Sequence, residues 1–193
     1  MNRYLKIFVA LAFVLAFVQT AGADLVKNGG FEDGNFTGWT VSKALFGSDL
    51  SIVNFWSHSG QYAAAFGATG GLDDTITQTI ATTRGQSYIF SFWLAHEGTD
   101  NQNDFYAIWN GNTVLSFIYG KTNNSFHYTE YSYIVTATGA STAISFSGQE
   151  NPSWYVLDDV SVTPDAVVVP LPGAILLLGS GLVGLAGWRF RKG

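Results

Sequence analysis

The chain contains no cysteine, which excludes disulfide frameworks, thiolate metal sites and cysteine nucleophiles. It is also poor in positive charge, with 9 Lys and Arg residues against 14 Asp and Glu residues in 193. Nucleic-acid binders need clustered cations to neutralise phosphates, so the composition argues against a nucleic-acid partner. Charged residues make up 12% of the chain, too few for a coiled coil, and aromatic residues make up 16%, too many for disorder.

The few cations are unevenly placed along the chain. Five of the nine lie within the first six or the last five residues, so residues 24–165 hold all fourteen acids but only four basic residues, a net charge of −10. An acidic, aromatic-rich body therefore lies between two apolar segments flanked by positive charge. Its self-repulsion favours solubility and disfavours binding to anionic surfaces.

Residues 1–23 have the three parts of a secretory signal peptide. Cations open the segment, residues 7–18 form an unbroken apolar run, and Ala21 and Ala23 frame a cleavage site of small residues. The alternative is a permanent anchor, but this run spans only about 18 Å as a helix, against a hydrocarbon core of about 30 Å. The sequence therefore predicts a cleaved leader and an exported body.

A second targeting segment is predicted at the C-terminal end of the chain. Residues 166–188 contain no charged residue, and the basic residues at 189–192 follow immediately. Cations after an apolar span stay cytoplasmic, so residues 173–188 are predicted to hold the chain transiently in the inner membrane with the acidic body outside. The span is short, about 24 Å of helix, and its glycines weaken it further.

Residues 170–193 combine a proline motif, a glycine-rich apolar span and a basic end. In this order they resemble a PEP-CTERM sorting signal, and tails of this kind also carry the label of an ice-binding protein C-terminal domain, which says nothing about ice. The resemblance implies a Gram-negative bacterium that makes extracellular polysaccharide. It also implies an exosortase-type membrane protease that cuts near the motif and delivers the body to the cell surface or extracellular matrix. Leu171 stands where the family has Glu. The motif residues are Val169, Pro170, Leu171, Pro172 and Gly173.

The body shows no helical periodicity over three turns. Short alternating runs recur instead between Gly, Asn, Asp and Ser clusters, as expected of antiparallel strands, and Asn110-Gly111 predicts a type I′ hairpin. We therefore expect an all-β jelly roll, a two-sheet antiparallel β-sandwich, over residues 24–163, and a linker over residues 164–169. The candidate strands are 25–31, 39–42, 50–55, 62–66, 75–81, 88–96, 105–109, 113–119, 128–137, 142–147 and 154–162.

Both ends of the body carry a family resemblance. Residues 25–39 and residues 154–162 are similar to the first and last strands of galactose-binding-like jelly rolls, a pairing shared by family-4 and family-22 carbohydrate-binding modules. Residues 59–64 and 76–80 stand in the expected order between them. The fold recurs in binding modules, adhesins and accessory domains of enzymes, so the resemblance implies the fold rather than the function.

Trp56 and Trp109 are the candidate sugar-binding residues. Sugar rings present apolar C–H faces that stack on exposed aromatic rings, and these two tryptophans lie at predicted strand ends beside polar loops. The alternative is that each fills the core. We expect Trp39 to pack under the first strand, and Trp93 to lie in the core or half-buried on one sheet face.

The acidic residues and histidines do not form a recognisable catalytic motif. Glycoside hydrolysis needs two facing carboxyls, and nothing around Glu97, Glu130 or Glu150 marks an acid or a nucleophile. The three histidines lack metal-ligand spacing. No catalytic residue is therefore predicted.

A structural calcium site is predicted from the jelly-roll arrangement. The first and last strands of such a fold lie side by side, which would bring Glu32 close to Asp158 and Asp159, and calcium relieves the repulsion between carboxylates. The related carbohydrate-binding modules often hold such an ion. Strand alternation places Asp158 on one face with Val156 and Val160, which makes it a better ligand than Asp159 unless a bulge intervenes. The alternative is that one Asp caps a turn and the other is solvated.

The sequence thus predicts an exported envelope or matrix protein whose lectin-like domain associates with extracellular polysaccharide. A structural or adhesive surface protein without a specific ligand is the alternative, and a polysaccharide-acting enzyme is the third hypothesis. A groove lined by exposed Trp or Tyr would favour the polysaccharide-binding hypothesis. Two carboxyls facing each other across such a groove would favour the enzyme hypothesis.

Overall fold

The computed structural model describes residues 22–96, 103–118 and 126–165. The predicted leader up to Ala21, the sorting motif, the apolar span and the basic end lie outside these residues. In the part of the chain that is described, no helix is long and apolar enough to span a membrane. The described strands are β1 (Thr40–Ser42), β2 (Ser51–Val53), β3 (Ala63–Phe66), β4 (Asp74–Ala81), β5 (Ser87–His96), β6 (Asp104–Trp109), β7 (Asn112–Ile118), β8 (Thr129–Thr136), β9 (Ser141–Gln149) and β10 (Tyr155–Pro164).

These strands form two five-stranded sheets in which every neighbouring pair is antiparallel. The first sheet has the order β1-β4-β9-β6-β7, and the second has the order β2-β3-β10-β5-β8. The prediction of an all-β, two-sheet antiparallel sandwich is confirmed. Consecutive strands often lie in different sheets, so several loops cross from one sheet to the other at the ends of the sandwich.

Alternation of apolar and polar residues decides which side of each strand faces the core. In β4, Ile76 and Ile80 are buried, whereas Thr77 and Thr79, which alternate with them, are half-buried and exposed, respectively, and point outward. A strand places successive side chains on opposite faces, so this pattern gives each sheet one apolar face. The two apolar faces meet in one core.

Aromatic side chains fill the middle of that core. Phe92 of the second sheet meets Phe146 of the first edge-to-face, with ring centroids 5.0 Å apart and an interplanar angle of 80°. Phe90 and Phe105 pack against the same Phe146 ring, at 5.8 Å and 6.1 Å. Edge-to-face pairs of this kind contribute beyond the area they bury, so Phe146 is the centre of the contact between the sheets.

The hairpin between β6 and β7 is the one that the sequence predicts. Asn110 and Gly111 both have positive φ, 48° and 80°. A type I′ turn needs positive φ at both central positions, and Asn and Gly are the residues that adopt it at least cost.

The segment before β1 differs from the prediction of a first strand at residues 25–31. It runs beside β10 but turns at residues 28–30, and Phe31 enters the core with a positive φ of 57°. The Gln78 side chain accepts from the Lys27 backbone N–H and donates to its carbonyl, at 2.8 and 2.9 Å. A side chain of the first sheet therefore provides part of the pairing that a neighbouring strand would provide.

A bulge interrupts β10 where it carries its two acidic residues. The register against β5 shifts between Asp158 and Ser161, and Asp159 has a positive φ of 48°. Because of the extra residue, Leu157 and Val160 both point into the core. The prediction that Asp158 and Val160 share a face is therefore wrong, and the bulge is the reason.

We predict that Gly29→Ala destabilises the fold. A Cβ at Gly29 would overlap the carbonyl oxygen of Val160, and the N–H of Val160 donates to the Gly29 carbonyl at 3.0 Å. Forcing extra volume into such a contact costs about 1–3 kcal/mol. Gly139→Ala is the control, because a Cβ there meets its nearest atom at 3.5 Å. Equal free energies of unfolding for the two variants in urea would contradict the close approach.

Candidate functional site

The two sheets differ in what happens to their outward faces. On the second sheet, Ala63, Ala65 and Val156 point away from the main core yet are buried, because a second apolar cluster covers them. Its covering side chains come from the loop after β2 and from the segments before β8 and β10. They are Trp56, Phe126, Tyr128 and Trp154, with Val53 of β2 beside them.

Trp56 is the centre of this cover. Its ring lies 5.5 Å from Phe126 and 5.4 Å from Trp154, and its backbone carbonyl accepts a 2.6 Å hydrogen bond from the Tyr128 hydroxyl. The Trp154 indole donates to Asp49 at 3.2 Å. Trp56 is thus half-buried in an aromatic cluster, and its role as a sugar platform stays a prediction.

Trp109 is not a surface platform. It is 4% exposed, packs against Tyr88 and Phe90, and donates from its indole to the Thr136 carbonyl at 3.2 Å. Its placement as a sugar-binding residue is therefore wrong. The hairpin turns immediately after it, so Trp109 keeps the inward phase of Phe105 in β6, and alternation along that strand would have found this.

The outward face of the first sheet is lined by hydroxyl groups, and we call it the hydroxyl face. Thr75 and Ser147 hydrogen bond across β4 and β9 at 3.0 Å, and Thr77 and Ser145 do so at 2.9 Å. In the described strands of this sheet no position is Lys or Arg. The polar outward residues are Thr40, Ser42, Thr75, Thr77, Thr79, Tyr106, Ser116, Ser141, Ser145, Ser147 and Gln149.

Two carboxyl groups, Asp73 and Asp104, meet at one end of this face, and we call them the acid pair. Ser147 donates to Asp73 at 2.9 Å, and Gln149 donates to Asp104 at 3.1 Å. Burial raises the pKa of Asp104 to about 6; the bond from Gln149 acts in the opposite direction, and the neighbouring Asp73 carboxyl raises the pKa further. A carboxyl group with a raised pKa beside a polar surface is a candidate for a ligand site.

Glu32, Asp158 and Asp159 do come together, as the sequence predicts, and we call them the carboxylate cluster. A Cβ at Gly30 would lie 3.4 Å from Asp159 Oδ1, 3.8 Å from Asp158 Oδ1 and 3.8 Å from Glu32 Cγ. The three side chains therefore surround one backbone position of the N-terminal segment.

The carboxylate cluster holds a loop that sequence reasoning missed. Asp158 accepts the backbone N–H groups of His58 and Ser59 at 2.8 and 3.1 Å. Asp159 lies 2.7 Å from both His58 Nδ1 and the Ser59 hydroxyl, and Glu32 accepts the N–H of Gln61 at 2.9 Å. The His58 ring also stacks on Trp93, with centroids 3.8 Å apart. The polar run at residues 57–60 was the only sequence signal of this contact.

The predicted calcium ion is not decided by this arrangement. Among residues 22–96, 103–118 and 126–165, no group of three or more His, Asp and Glu side chains has the arrangement of a metal site. Carboxylates are the ligands calcium prefers, and burial raises the pKa of Asp158 to about 6, so a cation here would relieve a real electrostatic cost. Calcium binding by Glu32, Asp158 and Asp159 stays a prediction.

We expect excess calcium to raise the melting temperature relative to excess chelator, and to do so less at about pH 5 than at about pH 7.5. The raised pKa of Asp158, about 6, means that a proton competes with the cation at the lower pH. Glu32→Gln is the control and should respond less at either pH. Identical melting temperatures in calcium and in chelator at the higher pH would remove the calcium proposal.

Comparison with known proteins identifies the tail. The family model of the PEP-CTERM protein-sorting motif matches residues 168–192. The chain carries a PEP-CTERM sorting motif. The expectation for residues 170–193 is confirmed, and the motif marks an exported protein that passes through a membrane. No curated protein sequence matches the chain.

Solved structures share the fold of the body. The module TmCBM61, solved with beta-1,4-galactotriose, is 20% identical with a TM-score of 0.55, over 74% of this chain and 99% of that one. The CBM22-1 xylan-binding domain of Paenibacillus barcinonensis Xyn10C is 13% identical with a TM-score of 0.52, over 78% and 100%. The K3 cleaved adhesin domain of Lys-gingipain from Porphyromonas gingivalis is 14% identical with a TM-score of 0.55, over 75% and 98%. The resemblance to carbohydrate-binding-module jelly rolls is confirmed as one of fold.

Proposed function

We propose that this chain is an exported, non-catalytic carbohydrate-binding protein and that the hydroxyl face is its binding surface. The observation that carries the proposal is the contrast between the two outward faces. Trp56 and its neighbours cover the outward face of the second sheet over β3 and β10, although Ile89 and Ile134 remain exposed on its β5 and β8. The outward face of the first sheet is lined by hydroxyls along five strands.

The chemistry of the hydroxyl face suits a sugar chain. Each Ser or Thr hydroxyl can both donate and accept, and the cross-strand pairs at Thr75 and Thr77 leave each hydroxyl with capacity for a second partner. Outward residues repeat about every 6.8 Å along a strand and about every 4.8 Å between strands, so a polysaccharide on the face meets several of them at once. Tyr106 adds an aromatic ring among them, and the acid pair accepts hydrogen bonds at the end of the face.

The comparisons support this proposal without deciding the ligand. One structural neighbour was solved in complex with a galactotriose and another is named as a xylan-binding domain, and the sorting motif belongs to an exported chain. We further propose that an exosortase-type protease removes the tail and that the body then associates with extracellular polysaccharide at the cell surface or in the matrix.

An enzyme that acts on polysaccharide has less support. Asp73 and Asp104 are neighbours at one end of the face and do not face each other across it, as the two carboxyls of a glycosidase do. Glu130 is exposed on the edge strand β8, Glu150 is buried, and Glu97 lies outside the described residues. The body shares its fold with the gingipain adhesin domain, but no contact among the described residues favours an adhesive role over sugar binding.

We predict that Tyr106→Ala weakens retention of the full-length protein on neutral polysaccharide by about tenfold, the usual effect of removing an aromatic anchor. Trp93→Ala is the matched control, because Trp93 is also a half-buried aromatic that points outward, but from the covered sheet. Affinity electrophoresis in β-1,4-galactan, xylan or hydroxyethylcellulose measures the retention, at a temperature where both variants stay folded. Loss of retention in Trp93→Ala alone would place the site on the second sheet.

A second prediction concerns processing of the exported chain. Intact-mass analysis should show a mature protein that begins at Asp24 and lacks residues 173–193. The leader is predicted to be cut after Ala23, and the tail is predicted to be cut near the proline motif. Replacing Pro170 and Pro172 with Ala should leave the tail in place while the leader is still removed. A full tail on the wild-type mature protein would contradict exosortase processing and would leave a simple C-terminal anchor.

A further inference from the structure

We propose that two loops at one end of the hydroxyl face form an apolar rim, made of Leu45, Phe46 and Leu72, that stacks on the rings of an uncharged polysaccharide. The inference rests on the proposed function and names both the residues that extend the binding surface and the class of glycan. The loops are residues 43–49, between β1 and β2, and residues 67–73, between β3 and β4.

The rim side chains are unusually exposed for their type. Leu45 is 83% exposed, Phe46 is 77% exposed and Leu72 is 47% exposed. Single exposed apolar residues are common and need no explanation. Here three of them lie on two loops that touch each other, and exposed apolar patches on soluble domains are associated with binding.

The two loops are fixed to each other through their backbones. The Thr69 N–H donates to the Gly47 carbonyl at 2.8 Å, and a Cβ on Gly70 would overlap the Phe46 carbonyl oxygen. Gly47 itself has a φ of 70°, which holds the turn beside Phe46. Phe46 therefore projects from an ordered backbone, and a contact made by an ordered residue loses less entropy on binding.

The loops continue the hydroxyl face at its acidic end. Ser42 pairs with Thr75, and two residues later the Ala44 N–H donates to Asp74 at 2.9 Å. Asp73 directly follows Leu72 and accepts the hydroxyl of Ser147, an outward residue of the face. A chain that lies along β4 on the hydroxyl face therefore reaches the rim without leaving the surface.

The charges around the rim indicate which class of polysaccharide it binds. The rim lies beside Asp49, Asp73 and Asp104, and the loops carry one basic residue, Lys43. The other described basic residues, Lys27 and Arg84, lie outside the strands of the face and outside these loops. A carboxylated or sulfated glycan, or an anionic lipid surface, is repelled by this arrangement, whereas the C–H faces of neutral sugars gain contact with Phe46 and Leu72.

The test compares rim variants of the full-length protein on matched neutral and anionic polymers. Hydroxyethylcellulose and carboxymethylcellulose share a backbone and differ in charge, and β-1,4-galactan and polygalacturonate extend the comparison. We expect retention of the wild-type protein on the neutral polymers only, and a loss of about tenfold in Phe46→Ala, with a smaller loss in Leu72→Ala. Ile134→Ala is the control, since Ile134 is 75% exposed on β8 of the other sheet and should bind as the wild type does.

The outcomes separate this inference from the proposed function. If Phe46→Ala binds like the wild type while Tyr106→Ala does not, the rim is overturned and the hydroxyl face stands. Equal retention on carboxymethylcellulose and hydroxyethylcellulose overturns the glycan class. Failure of the wild-type protein to bind any of the polymers, or Phe46-dependent binding to phosphatidylcholine vesicles in place of them, overturns both proposals. Melting temperatures of the exposed-residue variants close to that of the wild type confirm that binding and not folding is measured.

Discussion

The bulge in β10 holds the N-terminal segment and the loop at residues 57–62 together, and much of the second sheet depends on it. The extra residue keeps Leu157 and Val160 in the core while Asp158 and Asp159 face the loop. Asp158 is fully buried, and its oxygens accept backbone N–H groups from His58, Ser59 and Asp159. A buried carboxylate is costly unless it is hydrogen-bonded in this way, so the loop is held by the need to satisfy that charge.

The position of the loop explains why the two faces differ. Once residues 57–62 are held by β10, the preceding Trp56 lies over Ala63, Ala65 and Val156, whose small side chains leave room for an indole ring. Burial of that aromatic surface is favourable, and it removes the part of the face over β3 and β10 from solvent. The first sheet has no such loop over it in the described residues. Its outward positions hold hydroxyls that pair across strands, a surface that stays soluble without a cover.

Local patterns in the sequence predict much of the fold. Alternation located most strands within a residue or two, and Asn110-Gly111 located the hairpin, because both signals depend on neighbours in the chain. The sequence prediction puts Trp109 at the surface because the residues that follow it are polar. Alternation along β6 instead makes its side chain point inward, like that of Phe105. Thr75, Thr77 and Thr79 show the hydroxyl face in the sequence, but nothing there says that Ser145 and Ser147 lie beside them.

Contacts between distant segments were the least accessible. The carboxylate cluster is expected from the jelly-roll resemblance. The hydrogen bonds from Asp158 and Asp159 to residues 58 and 59 connect positions about a hundred residues apart, and only the polar run at residues 57–60 marks them in the sequence. The apolar rim depends in the same way on backbone contacts between residues 47 and 69. Such contacts form only when the sheets are assembled, since loop positions follow from strand order.

The central position of β10 has a mechanical consequence for any load applied at the C-terminal end of the body. β10 pairs with β3 on one side and with β5 on the other, and Asp165 after it still bonds to Ser87 at 2.9 Å. Tension applied beyond Asp165 therefore loads the strand along its own axis. Its ladder bonds are stretched in parallel and must break together instead of opening one after another. The acid pair lies near the opposite end of the sandwich, beside the start of β10, so a load between the two ends of the sandwich passes along the best-connected strand of the second sheet.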